Sequence, residues 1–179
     1  MRQLRRLGYQ RPGFACWPRI HESNDRAWAA AFGAYQSLPP RKQVPIFMHQ
    51  PWTRKAFRQW FFECKPDVVV THDETLLAWI EAWGLKVPRD VGFALAAKHG
   101  EASLRCAGID ENSETVAEVA VNVLVDMINR GETGIPLRPI STLVEGCWIA
   151  GETLRSQTLV PVGNAAADTG EVDEVPQIE

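Results

Sequence analysis

Trp17, Trp52, the adjacent pair His72-Asp73 and Lys98 share one context: each stands at the end of a short apolar run that precedes a helix-patterned segment. The runs cover residues 13–17, 45–52, 67–73 and 91–98. Continuous apolar runs that alternate with helices read as buried parallel strands and their crossovers. In an open sheet of that kind, ligands bind at the carboxyl ends of the strands. Trp17, Trp52, His72, Asp73 and the corner at 96–98 are therefore expected to converge on one cleft. An indole face that stacks on a sugar or base, next to carboxylate and ammonium groups, makes small-molecule binding the first chemistry to weigh.

Catalysis and metal binding find less support. His72-Asp73 and Cys16 are the pieces from which a nucleophilic site could be imagined, but no G-x-S-x-G elbow, P-loop or G-x-G-x-x-G is present. His21, His49, His72 and His99 lack the i, i+4 spacing of a helical zinc pair. A cluster of His49, His72 and His99 at the sheet edge is the one metal alternative, and no metal or cofactor is assigned. Cys16, Cys64, Cys106 and Cys147 form no CxxC pair and read as reduced, structural thiols.

The elements that must position these residues follow from periodicity. Strands are expected at 13–17, 44–48, 67–71 and 91–96, with an extended stretch at 104–109 and a final strand at 140–144. A helix capped by Ser23 or Asn24 would bury Ala27, Trp28, Ala31, Phe32, Tyr35 and Leu38, and would end at Pro39-Pro40. Thr53 opens a helix with Ala56, Phe57, Trp60 and Phe61 on one face. Asp73 caps a helix that would bury Leu76, Leu77, Trp79, Ile80 and Trp83, and Gly84 ends it with Leu85 folding back. A long helix covers 113–130 before Gly131, and Thr115 with Glu118 fits a capping box. Its aliphatic residues span an arc of roughly 200°, about twice what a surface helix needs, so it expects neighbours on two sides.

The chain has 179 residues and a net charge of −3, with 45% apolar and 23% charged residues. That composition is ordinary for a globular protein and argues against a general nucleic-acid surface. No apolar stretch approaches the ~20 residues of a membrane helix, and no secretory signal is read, so the expected location is cytoplasmic. Arg2, Arg5, Arg6 and Arg11 read as a solvated helix end leading into the first strand. Residues 156–179 are acidic and poor in large apolar side chains, the pattern of a disordered tail.

Several segments together carry a resemblance. Leu7-Gly8-Tyr9-Gln10-Arg11-Pro12-Gly13-Phe14 resembles the "LGYRRIGF" stretch of LacI/GalR transcription regulators, and Lys65-Pro66-Asp67-Val68-Val69-Val70 with His72-Asp73 resembles their "KPDAIV..ND". The segment 84–92 resembles "G..VP.DV", and Gly108-Ile109-Asp110-Glu111-Asn112, the aliphatic helix and the stretch 145–155 complete the order. Each motif alone is weak; together, in order, they cover about Leu4 to Arg155. The resemblance implies a doubly wound parallel α/β sheet, a type I periplasmic-binding-protein-like lobe, plus a helix and strand returning towards a second lobe. Residues 1–155 are thus expected to form part of an effector-binding sensor domain. That family's helix-turn-helix and most of its first lobe would precede Leu4, so the start at Met1 is expected to mark a truncated gene, an internal start or a fragment.

The resemblance also implies site residues. Trp52 falls where the family commonly places an aromatic that stacks on the effector, with a core or rim role as the alternative. Arg26 lies near its effector-binding Arg, on the first turn of the helix after strand one, although Trp28 could hold that position. His72 stands where Asn is usual, and Asp73 matches. The family's "GFDD"-type corner is Leu95-Ala96-Ala97-Lys98 here, and Glu111 stands where Gln is frequent. Losing that carboxylate and gaining Lys98 implies a different, more anionic effector, or no tight binding. The expected ligand-binding set is Trp17, Arg26, Trp52, His72, Asp73, Lys98 and Glu111. The expected function is non-enzymatic sensing of a sugar or related metabolite, with DNA reached only through the absent N-terminal domain of a homodimer. A small flavodoxin-like α/β enzyme and a stand-alone sugar-binding protein are the alternatives.

Overall fold

The strand Val68–Thr71 (β2) is buried on both faces and sets the register of the sheet. It pairs in parallel with Pro12–Ala15 (β1) on one side and with Gly92–Leu95 (β3) on the other. Ala107–Asp110 (β4) continues the parallel order beyond β3, and Cys147–Ile149 (β5) closes that edge antiparallel to β4. Residues 1–23, 25–35, 43–98 and 104–155 are described by this computed structural model. The expected tail and the Pro39-Pro40 helix stop therefore lie outside the described residues, as does His99.

The expected second strand at 44–48 is reduced to a single parallel bridge. Ala15 pairs with Phe47, the Cys16 amide donates to the Phe47 carbonyl at 3.0 Å, and the Phe47 amide donates to the Phe14 carbonyl at 2.8 Å. The rest of that segment is fastened by side chains, including the Trp60 indole N–H on the Pro45 carbonyl at 2.8 Å. This stretch follows β1 in the chain but lies on its outer edge, while β2 lies on its inner edge. The connections from β1 and β2 therefore run in opposite directions, which opens a crevice between their carboxyl ends.

Alternation along the strands divides the core into two layers. Ala15, Val69, Phe93 and Leu95 face Phe57, Leu76 and Ile80, which belong to helices Arg54–Cys64 (α4) and Thr75–Glu81 (α5). Phe14, Val68, Val70 and Ala94 face the other way, towards helix Arg2–Arg6 (α1), helix Ala27–Tyr35 (α3), Tyr9 and Leu154. Thr53 caps α4 as expected, its hydroxyl accepting from the Ala56 amide at 3.2 Å. Gly84 adopts φ +84 beyond α5, and Leu85 packs back on the core. No helix among the described residues is long and apolar enough to cross a membrane.

Three expectations are corrected. The helix after β1 is two helices, Pro18–Ser23 (α2) and α3, broken where Asp25 and Arg26 adopt φ of 46° and 61°. Ser23 thus ends one helix instead of capping the next, and its hydroxyl donates to the Ile20 carbonyl. The final strand is not at 140–144 but at 147–149: Ile140 and Leu143 are each 92% exposed, because the free edge of β4 is taken by residues that place Trp148 against the core. Gly146 permits this approach, since a Cβ there would lie 2.9 Å from the Asp110 carbonyl oxygen. The long helix Ser113–Asn129 (α6) forms as expected, but it starts from Asn112 in the left-handed region without a side-chain cap. It buries no residue at all: Leu124 is 57% and Ile128 67% exposed.

The β3–β4 seam is held by a buried hydroxyl. Thr153 Oγ1 accepts from the Ala107 amide at 2.9 Å and donates to the Phe93 carbonyl at 2.7 Å, while its own carbonyl accepts from the Phe93 amide. Thr153→Val keeps the shape and leaves both backbone groups unpaired, which costs about 1–3 kcal/mol for each group left buried and unpaired. The urea midpoint is expected to fall accordingly, with an unchanged m-value; an unchanged midpoint would show that the seam does not depend on this hydroxyl.

Candidate functional site

Asp73 organises the crevice at the carboxyl ends of β1 and β2. Its backbone is fixed first: the Asp73 amide donates to Thr71 Oγ1 at 3.0 Å, and Thr71 is fully buried at the end of β2. Its Oδ1 accepts from the Thr75 amide at 2.9 Å and from the Thr75 hydroxyl at 2.6 Å, which starts α5. The expected capping role is therefore present, one residue ahead of the formal cap Glu74. Its Oδ2 accepts from two indoles, Trp52 Nε1 at 2.9 Å and Trp17 Nε1 at 3.2 Å.

The two indoles lie together, ring centroids 5.4 Å apart and tilted by 31°. Trp52 also packs on Phe47 at 4.8 Å and on the main core, so it is half-buried, while Trp17 is 41% exposed. His72 sits beside this group with its ring edge-on to Trp28 at 4.7 Å and to Phe14 at 5.9 Å. A cavity of about 280 Å³ is lined by His72, Asp73, Glu74, Thr75, Leu95 and Ala97. A larger one of about 490 Å³ opens on the sheet face of Phe14 and Val70, between α1, α3 and β5.

The remaining expected residues lie elsewhere. Lys98 Nζ donates to the Cys106 carbonyl at 2.7 Å, so its ammonium is tied to the β3–β4 connection. Arg26 is exposed in the break between α2 and α3 and lines neither cavity, whereas Trp28, two residues on, lines the larger one. Glu111 is exposed just after β4 and also lines neither. Trp148 lines the larger cavity as well; its only signal in sequence was its place in the 145–155 stretch. Among the described residues, no three His, Cys, Asp or Glu side chains are grouped to hold a metal ion. All four cysteines are free thiols, and burial pushes Cys16 and Cys106 upward, away from the thiolate form a nucleophile needs.

Solved structures share this fold. A LacI family transcriptional regulator from Bifidobacterium animalis subsp. lactis superposes with a TM-score of 0.64 at 15% identity, over 86% of this chain and 58% of that one. The fold is that of LacI-family sensor domains. The transcription regulator CcpA of Lactococcus lactis gives a TM-score of 0.58 at 13% identity, over 86% of this chain and 60% of that one. The Lac repressor dimer bound to operator and the anti-inducer ONPF gives 0.63 at 15% identity, over 87% of this chain and 56% of that one. The chain therefore spans somewhat over half the length of these LacI-type structures. No family model and no curated protein matches the sequence.

Asp73→Ala removes the start of α5 and the acceptor of both indoles. The cap alone is worth about 1 kcal/mol, and release of the exposed Trp17 is expected to red-shift tryptophan emission and raise its quenching by acrylamide. Trp52→Ala is expected to cost about 1–2 kcal/mol, below the ~3–5 kcal/mol of a fully buried Trp, and more than Trp17→Ala. Equal melting temperatures for the two Trp variants would contradict this ranking.

Proposed function

We infer that this chain is the effector-sensing lobe of a LacI-type transcription regulator. A small molecule binds in the crevice at the carboxyl ends of β1 and β2, between this lobe and a second one. It favours one relative orientation of the lobes, and that preference is passed to a helix-turn-helix that carries the DNA contact. The working protein is a homodimer, and the lobe itself neither touches operator DNA nor catalyses a reaction. The buried thiol of Cys16, just after β1, is pushed up by desolvation, away from the thiolate a nucleophile needs, which weighs against the enzyme alternative.

The observation that carries this reading is α6, in a chain whose fold matches these regulators over most of its length. Val116, Val121, Val123, Leu124, Val125 and Ile128 are all exposed, and together they occupy more than one side of the helix. Each aliphatic side chain kept in water forgoes about 1.5–3 kcal/mol of burial, a large share of a domain's whole stability when summed. A second lobe packed around α6 supplies that burial and closes the open side of the crevice at the same time.

Two measurements test this. Alone, the chain is expected to self-associate or aggregate, and co-expression with the first lobe of a LacI-type regulator is expected to give a soluble, cooperatively melting dimer. In that two-lobed form, an effector at about 100 times its dissociation constant adds about 2.7 kcal/mol of stability, a shift that Trp52→Ala abolishes. A monodisperse, cooperatively melting monomer from the isolated chain would overturn the lobe assignment.

A further inference from the structure

The crevice cavity is lined by polar side chains, His72, Asp73, Glu74 and Thr75, but its central carboxylate is spent within the protein. Both oxygens of Asp73 are engaged, Oδ1 by Thr75 and Oδ2 by two indoles. Lys98 is committed to the Cys106 carbonyl, and the end of β3 presents Ala96 and Ala97, 5% and 6% exposed. A sugar carries a hydroxyl on nearly every carbon. Each of these must find a partner when it leaves water, and two charged groups near the crevice, Asp73 and Lys98, already spend their hydrogen bonds within the protein.

The larger cavity is lined mainly by aromatic and aliphatic side chains, with Arg2, Gln3 and Glu145 among them. Its walls include Phe14, Trp28, Phe32, Val70, Ala96 and Trp148, and its volume is about 490 Å³. Sites for small ligands span roughly 300–1,000 Å³ and are lined mainly by apolar and aromatic groups. Trp28 links this cavity to the crevice, because it lines the one and meets His72, which lines the other. Aromatic walls favour offset or edge-to-face contact with a flat ring, a geometry worth more than its buried area alone.

The geometry points to an effector that is a flat, largely apolar aromatic compound, held among Phe14, Trp28 and Trp148, and not a polyhydroxylated sugar. This rests on the sensor reading above; it narrows the effector class and extends the site from the crevice past His72 and Trp28 into the adjoining cavity. Calorimetric titration of the soluble two-lobed protein with indole and with benzoate, set against D-glucose and D-ribose, decides it. Saturable binding of an aromatic probe is expected, with none for the sugars. Ala31→Trp, at an exposed α3 residue on the cavity wall, is expected to weaken that binding by about tenfold or more by filling the space. Leu124→Lys, on the exposed face of α6, is expected to leave it unchanged. Aromatic binding that survives Ala31→Trp, or that vanishes with Leu124→Lys, places the probe elsewhere and overturns the proposal. Absence of aromatic binding overturns it too. Sugar binding lost on Trp52→Ala would overturn the ligand class while leaving the sensor reading intact; failure of the two-lobed protein to respond to any small molecule would instead count against that reading.

Discussion

The carboxylate of Asp73 is the constraint on which the carboxyl edge depends. One group terminates β2, starts α5 and orients two indoles from separate segments, Trp17 after β1 and Trp52 before α4. A charged acceptor is suited to that role, because hydrogen bonds to an ionised partner are about twice as strong as neutral ones. It can do so only because the buried Thr71 anchors its backbone at the end of β2. The crevice is thus set by the sheet beneath it and not by its loops.

The use of Asp73 as a structural tie has a cost in recognition. A carboxylate whose oxygens each accept two donors has little capacity left for a ligand hydroxyl. The end of β3 adds only small apolar residues, Ala96 and Ala97, so the polar lining of the smaller cavity comes from the β2–α5 side, from His72 to Thr75.

Much of this was legible in the sequence, where one period dominated. The runs Val68-Val69-Val70 and Phe93-Ala94-Leu95 became central strands, and Thr53, Asp73 and Gly84 acted as helix boundaries, because local propensity and tertiary burial agree there. Trp17, Trp52 and Asp73 met for the same reason. The break at Asp25-Arg26 escaped detection, since positive φ at two non-glycine residues leaves no mark in the apolar periodicity that follows them. The final strand was misplaced because Ile140 and Leu143 are apolar without being inside anything in this chain. Lys98 ended on a carbonyl of its own loop, a contact that no spacing rule reveals.

The route of the chain around α6 has one more implication. Asp110 and Cys147 are paired neighbours across the β4–β5 ladder, and just beyond them the Asn112 side-chain amide donates to the Glu145 carbonyl at 2.6 Å. The polypeptide therefore leaves the lobe and re-enters it through a single doorway, and everything between is an excursion grafted onto a β-hairpin. The base of that hairpin is secured independently, by Thr153 across β3 and β4 and by the Arg155 amide on the Tyr9 hydroxyl. Closing a shorter loop is entropically easier than closing a long one. The lobe is thus modular: its sheet carries the architecture, and the greasy appendage can be exchanged for a tight turn without unpicking a single strand pairing.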